Sequence, residues 1–223
     1  MLFRSSIGNS STILTMADGN LFVRSTTPSN GIALGTFQMT SGKWYFEFVL
    51  SEKVTYDAYL GITEVSKTKF TYNIPDYAYA STGSKYILNS SSSYGASWGV
   101  GDVIGVAFDA TNGTLTFYKN NVSQGVASSS VSSGTYAAAI YMDNNNTQVA
   151  GNFNFGQRAF SYTAPSGYKA LCTQNLPTPT ILNGANHMAA TLYTGTGASQ
   201  TVSNAVNSIS FQPDMVWIKS RST

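Results

Sequence analysis

Residues 101–127, GDVIGVAFDATNGTLTFYKNNVSQGVA, constrain the fold of this chain more than any other stretch. Ile104, Val106 and Phe108 alternate with small or polar residues, which places every second side chain on one buried face of an extended strand. Asn112-Gly113 follows, and its residue types suit the positive φ angles of a tight hairpin turn. Leu115 and Phe117 carry the same apolar face back. Lys119, Asn120 and Asn121 then turn the chain into a third strand ending near Ala127. A polypeptide containing this segment is committed to an antiparallel meander.

The rest of the chain keeps the two-residue rhythm. Residues 13–16 and 21–24 flank Ala17-Asp18-Gly19-Asn20, a hairpin signal. In 42–50, GKWYFEFVL, Trp44, Phe46 and Phe48 share one face while Tyr45, Glu47 and Val49 share the other. Residues 58–63 and 136–142 read as strands, and Val149, Gly151, Phe153 and Phe155 line up on one side of another. No segment shows 3.6-residue periodicity, heptads or a long repeat, so the fold class is all-β. Residues 67–98 break the pattern. They are polar and carry Tyr72, Tyr77, Tyr79, Tyr86 and Tyr94, the look of a long functional loop held by a rigid sheet. Residues 176–182 begin LPTPTI, whose two prolines stiffen the chain and keep it out of a sheet interior. The expected organisation is a sandwich over 1–175, a linker over 176–182, and a short β-rich or oligomerisation segment over 183–223. In that segment 187–197 and 214–223 read as strands. Forty residues are too few for a β-core of their own, so these strands are expected to pack on the first domain, on a neighbouring subunit, or on further chain.

Composition narrows the function classes. Charged residues make up 10% of the chain, against about 25% in typical soluble proteins. Hydroxyls, amides and 14 Tyr must therefore cover the surface, which suits carbohydrate or a polar protein face. The 12 Lys and Arg are scattered and the net charge is only +2, which argues against nucleic-acid binding, since phosphate contact needs clustered cations. No run approaches the ~20 apolar residues of a membrane span, so membrane insertion is not expected. Cys172 is the single cysteine, hence no intrachain disulfide, and its apolar neighbours predict a small buried hydrophobe. His187 is the single histidine and has no Ser or Cys motif to serve, and one Cys with one His cannot make a zinc site. Of the carboxylates, Glu47, Glu52, Glu64, Asp57, Asp76, Asp102 and Asp109 could in principle supply a glycosidase pair, but their placement in strands and turns favours structural roles. Hard oxygen ligands cluster at Asp143 and its Asn neighbours, yet without the spacing of a calcium loop. Gly99-Val100-Gly101 precedes a strand and not a helix N-terminus, so it makes no phosphate cradle. The expectation is a non-enzyme with no cofactor and no metal.

Four pieces carry a family resemblance: GKWYFEF at 42–48, YLGIT at 59–63, the meander, and GNFNFGQRAF at 151–160. In that order and spacing they resemble the SPRY domain family, over residues 1–165. The resemblance implies a SPRY-like antiparallel β-sandwich, jelly-roll-like, that recognises partners through loops and has no catalytic residues to transfer. It also implies that Tyr79, Lys85, Tyr86, Tyr94 and Gly95 are structural. The freer candidates for partner binding are Tyr72, Asn73, Asp76 and Tyr77, with the turn Asp143, Asn144, Asn145 and Asn146. There aromatic rings would stack on a sugar or peptide while amides fix its polar groups. Residues 153–181 and FQPDMVWIKSRS at 211–222 resemble segments that accompany SPRY domains in structural proteins of tailed bacteriophages. That implies a virion protein of tail-fibre, spike or head-fibre type, made in the host cytoplasm, binding other virion subunits and a host-surface glycan or protein. A homo-oligomer is expected, trimers above all. The alternative is an architectural head-decoration or fibre-joining protein whose loops bind other virion subunits.

Overall fold

The computed structural model describes residues 3–6, 14–25, 31–53, 57–66, 74–143, 149–175, 180–203 and 212–220. The chain divides into two units, Met1–Asn175 and Leu176–Thr223. Among its described residues the first unit holds fifteen strands. In chain order they begin with β1 Phe3–Ser6, β2 Leu14–Ala17, β3 Phe22–Ser25, β4 Gly31–Gly35 and β5 Lys43–Lys53. Next come β6 Ala58–Glu64, β7 Tyr77–Ala80, β8 Ser84–Ile87, β9 Ser90–Ser93 and β10 Val103–Asp109. The last are β11 Thr114–Lys119, β12 Val122–Ser128, β13 Tyr136–Met142, β14 Val149–Asn154 and β15 Lys169–Ala170.

Fourteen of these strands form two antiparallel sheets, in the orders β1-β4-β13-β6-β7-β8-β9 and β12-β11-β10-β5-β14-β3-β2, and β15 joins the second through β5. The meander of the sequence is β10, β11 and β12 at one side of the second sheet. Its apolar residues face their equivalents across the ladder: Val106 pairs with Phe46 and with Phe117, and Phe108 with Trp44 and with Leu115. The inner faces of both sheets meet in one core, to which the first sheet contributes Leu60, Ile62, Tyr77, Tyr79, Ile140 and Met142. Aromatic rings fill it, with Phe48 and Phe153 4.8 Å apart and Tyr79 and Phe117 5.5 Å apart. Burial of such side chains contributes roughly 1.5–3 kcal/mol each. The fold is an all-β sandwich.

The outer face of the second sheet is closed by chain that follows β14. Where β14 leaves β5 after Asn154, β15 takes over its edge in parallel, pairing Lys169 with Trp44. Glu47, nearly inaccessible on that face, accepts the Ser161 N–H at 2.7 Å, the Tyr162 N–H at 2.9 Å and the Tyr45 hydroxyl at 3.2 Å. A strand carboxylate thus fastens a loop more than a hundred residues away. Leu171 is the residue that turns inward here, donating its N–H to the Tyr45 carbonyl, and Cys172 is left only half-buried.

Three local readings of the sequence need correction. The first concerns 67–98, whose described part is not a loop but contains β7, β8 and β9. Their Ala- and Ser-rich sequences have weak strand propensity, and the ladder to β6 supplies what propensity lacks. In the second, Asn112 does not take positive φ. Gly113 alone does, at 67°, and the Asp109 carboxylate holds the turn by accepting the N–H groups of Thr111 and Asn112. Within the meander, the two-residue turn with both residues at positive φ is Asn120-Asn121, at 47° and 69°. The third concerns 187–197 and 214–220, which form no strand among their described residues. The described part of the second unit holds a single short 3-10 turn, Gly184–Asn186, and Trp217 is 83% exposed. An apolar run becomes a strand only when another edge completes its hydrogen bonds.

Candidate functional site

At one end of the sandwich β5 finishes at Lys53, β6 begins at Ala58, β7 finishes at Ala80 and β13 finishes at Met142. The ends of these four strands are tied together by polar groups. The Lys53 ammonium reaches from one sheet to the other, donating to Asp57 Oδ1 at 3.1 Å and to Ser81 Oγ at 2.8 Å. Ser81, 1% exposed, donates its hydroxyl to the same carboxylate oxygen at 2.8 Å and accepts the Ala58 N–H at 3.2 Å. The Asp143 N–H donates to the Asp57 carbonyl at 2.9 Å, which fixes the start of the 143–148 connection. The Trp98 N–H donates to the Ser81 carbonyl at 2.9 Å and brings in the segment before β10. A half-buried ammonium shared by a carboxylate and a buried hydroxyl ties these strand ends together.

The register places aromatic groups beside it. Tyr141 of β13 lies opposite Tyr59 of β6, and both point to the outer face because Leu60 and Ile140 point inward. Tyr86 of β8 sits on the same face, opposite Ala78. The rings of Tyr59 and Tyr86 are 5.2 Å apart at 79°, and those of Tyr59 and Tyr141 are 5.5 Å apart at 49°. Tyr141 is buried, with Ile32, Leu34 and Ala139 beside it, while Tyr59 and Tyr86 are half-exposed. Burial pushes the Tyr59 phenol well above its ordinary value, and Tyr86, Asp57 and Asp143 add to that rise. Burial does the same to Tyr141, again helped by Asp143. The phenols of Tyr59 and Tyr141 therefore stay protonated at neutral pH. Chemically, the end offers aromatic faces, hydroxyl donors and carboxylates on a fixed frame.

The candidates named from sequence separate into two groups. Tyr72, Asn73, Asn144, Asn145 and Asn146 lie outside the described residues. Asp76 and Tyr77 are corrected to structural groups, at 8% and 3% exposure. Asp76 accepts the Thr63 hydroxyl at 2.8 Å and the Glu64 N–H at 2.9 Å. Tyr77 follows the same alternation as Tyr79 into the core, where its ring lies 6.0 Å from that of Tyr136. Nothing in the sequence singles out Lys53, Tyr59, Ser81 and Tyr141, and Asp57 reads there only as one of the structural carboxylates. Tyr59 and Tyr141 were visible as the outward phase of two apolar strands, but nothing local shows that those strands are neighbours.

At the other long edge Tyr79, Lys85 and Tyr94 are structural. Tyr79 donates its hydroxyl to the Ala96 carbonyl and Tyr94 donates to the Gly125 carbonyl. Lys85 donates to the Ala127 carbonyl at 2.8 Å, with its ammonium 5.4 Å from the centre of the Tyr94 ring. Burial raises the phenols of Tyr79 and Tyr94 to about 12 each. Asp102 and Asp109 bind turn residues in the same structural manner. Among the described residues no three His, Cys, Asp or Glu side chains gather as metal ligands.

Comparison with known proteins places this architecture. The chain is similar to the SPRY domain of human HERC1, with a TM-score of 0.58, 16% identity, and coverage of 67% of this chain and 96% of that one. It is 26% identical over 185 residues to an ATP-dependent RNA helicase, Ddx1, from Drosophila melanogaster, covering 77% of this chain and 23% of the helicase. It is 31% identical over 142 residues to a dual specificity protein kinase, splA, from Dictyostelium discoideum, covering 61% of this chain and 6% of the kinase. The chain therefore spans less than a quarter of either relative. SPRY domains are in general non-catalytic interaction modules. The family model for the SPRY domain matches residues 43–158, more than half of the sequence, and with the sandwich in hand the chain belongs to the SPRY domain family.

Proposed function

We propose that this protein is a non-catalytic virion component of tail-fibre or spike type whose SPRY sandwich recognises a protein or glycan on the host surface. One observation carries the recognition part: four strand ends are tied together by Lys53, Asp57, Ser81 and the Asp143 N–H beside half-buried tyrosines. Rigid frames that display variable loops are how such sandwiches bind partners. The virion setting is supported by the resemblance of 153–181 and 211–222 to phage structural proteins and by a surface poor in charge. RNA unwinding and phosphoryl transfer belong to the far longer relatives and are not proposed for this chain.

The test is adsorption of purified, fluorescently labelled protein to a panel of bacterial surfaces. Saturable binding is expected, with Tyr72→Ala combined with Asn145→Ala weakening it about tenfold or more, the scale of a hot-spot contact. Absence of adsorption by the assembled protein overturns the reading, as does full binding by the double variant. A second reading has its own support. Leu182, Met188, Leu192 and the run Met215, Val216, Trp217 and Ile218 are all exposed, as befits a piece that joins other virion subunits. It predicts that the loop end is buried in the particle, which cross-linking of intact virions would reveal.

A further inference from the structure

We propose that β9, the last strand of the first sheet, pairs with β9 of a second copy of this chain across a two-fold axis, a contact independent of the recognition read at the strand ends around Lys53. β8 and β9 are joined by Leu88 and Asn89, both at positive φ, so Ile87 and Ser90 close the hairpin as a hydrogen-bonded pair. The Leu88 N–H, turned to the Asp76 carbonyl of the preceding segment, keeps the same phase. Ser90 and Ser92 therefore direct their backbone groups to β8, and the N–H and C=O groups of Ser91 and Ser93 point away from it. Among the described residues no strand lies beyond β9 to take them.

The adjacent edge of the second sheet is guarded and β9 is not. β12 is bulged against β11, and two of its carbonyls, those of Gly125 and Ala127, already accept from Tyr94 and Lys85. Bulges, charges and prolines are the usual guards of an edge strand. β9 has none of them: its register with β8 is unbroken and its four residues are exposed serines. Side chains this small let another backbone come within ladder distance, about 4.8 Å.

The chain around this edge favours a copy of itself as the occupant. Residues 86–101 and 120–142, which include β9 and β12, contain no Asp, Glu, Lys or Arg. A two-fold axis sets each group near it against its own copy, so charges there would repel. A foreign partner is instead selected by complementary charge, which this edge lacks. With the axis at Ser92, Ser91 of one copy exchanges both backbone bonds with Ser93 of the other. The same axis sets Leu88 level with Ala96 of the second copy, whose N–H donates to Gln124 of β12. Leu88, Val122 and Val126 are three of the four large hydrophobics exposed among the first unit's described residues, and they lie in the β8–β9 turn and in β12. Strands of this length run only about 13 Å, so the contact is smaller than a standard interface and a weak dimer is expected.

The experiment follows the full chain by sedimentation equilibrium from ~1 μM to ~1 mM, with amide hydrogen exchange read at both ends of that range. Half-dimerisation is expected at roughly 100 μM or above. The Ser91 and Ser93 amides should gain protection as concentration rises, while those of Ser90 and Ser92 are protected throughout. Ser91→Pro removes only an outward N–H, which an edge strand tolerates, so it should weaken the dimer at least about tenfold with the monomer's circular dichroism unchanged. Leu88→Asn should weaken it at least about threefold without lowering the urea midpoint, which separates lost contact from lost folding. A monomer at every concentration overturns the proposal and leaves the edge to a strand of a different protein. So does a trimer, a dimer untouched by Ser91→Pro, or concentration-dependent protection confined to other residues. Should Ser91→Pro not fold, the exchange pattern of the unaltered chain decides between these outcomes.

Discussion

Leu88 occupies the first position of the β8–β9 turn at a φ of 49°, with Asn89 following at 72°. Left-handed backbone costs an ordinary L-residue roughly 1–2 kcal/mol, and Leu88 is 56% exposed, so its side chain recovers little by burial. Asparagine tolerates this geometry, and Leu88→Asn should stabilise the fold by about 1 kcal/mol, read as a higher urea midpoint with an unchanged slope. Acid sensitivity is also decided by single residues. Burial works to raise the Asp109 carboxyl, but hydrogen bonds from Asn112 and Thr111 and the charge of Lys43 outweigh it, so the group titrates below the usual carboxylate range. Asp102 behaves alike, with burial opposed by Gly99, Asn120 and Lys119. A carboxyl depressed in the folded state binds fewer protons there than in the unfolded chain, so its stabilisation is complete above the unfolded value of about 3.9 and fades as pH falls through the lower folded value. The urea midpoint should therefore drop below about pH 4, and Asp109→Asn should make that drop shallower while lowering stability at pH 7.

Strand pairing sets the next level, and β6 against β7 is its tightest point. A Cβ built on Gly61 would stand 1.8 Å from the Tyr77 carbonyl oxygen, a backbone atom that cannot swing aside. Gly61→Ala must therefore part the two strands or distort them, and a loss of about 3 kcal/mol is expected by chemical denaturation. The same variant should broaden the amide signals of Asp76 and Leu88, since Leu88 donates its N–H to the Asp76 carbonyl at 2.7 Å just beyond β7. This pair also explains what was legible in residues 67–98. The alternation of Tyr77 and Tyr79 with alanines was present in the sequence, but four-residue strands rich in Ala and Ser resemble polar loop until a neighbouring edge pairs with them. Tyr77 therefore read as a surface ligand group and is a core ring. Asp76 read as a free carboxylate and is the anchor of Thr63 and Glu64.

Across the whole molecule, the described members of the buried cluster run from Leu14 to Leu171 and lie in the first unit. A protein ending at Asn175 should accordingly fold on its own and show β-type circular dichroism, and the spectrum of an unfolded chain would refute this. By itself the sequence determined the all-β class, the meander, the inward residues of the long strands and the hairpin at 17–20. Each of these follows from a period of two or from turn chemistry, and both are local properties of the chain. Only the tertiary structure decided which strands lie side by side. It brought Ser81 to Lys53 across 28 residues and from the opposite sheet, and set Tyr59 between Tyr86 and Tyr141. Side-chain alternation fixes the face a residue occupies but carries no record of its neighbour in the ladder. The tyrosine and carboxylate cluster is made of such neighbours, and it exists only once the sheet has closed.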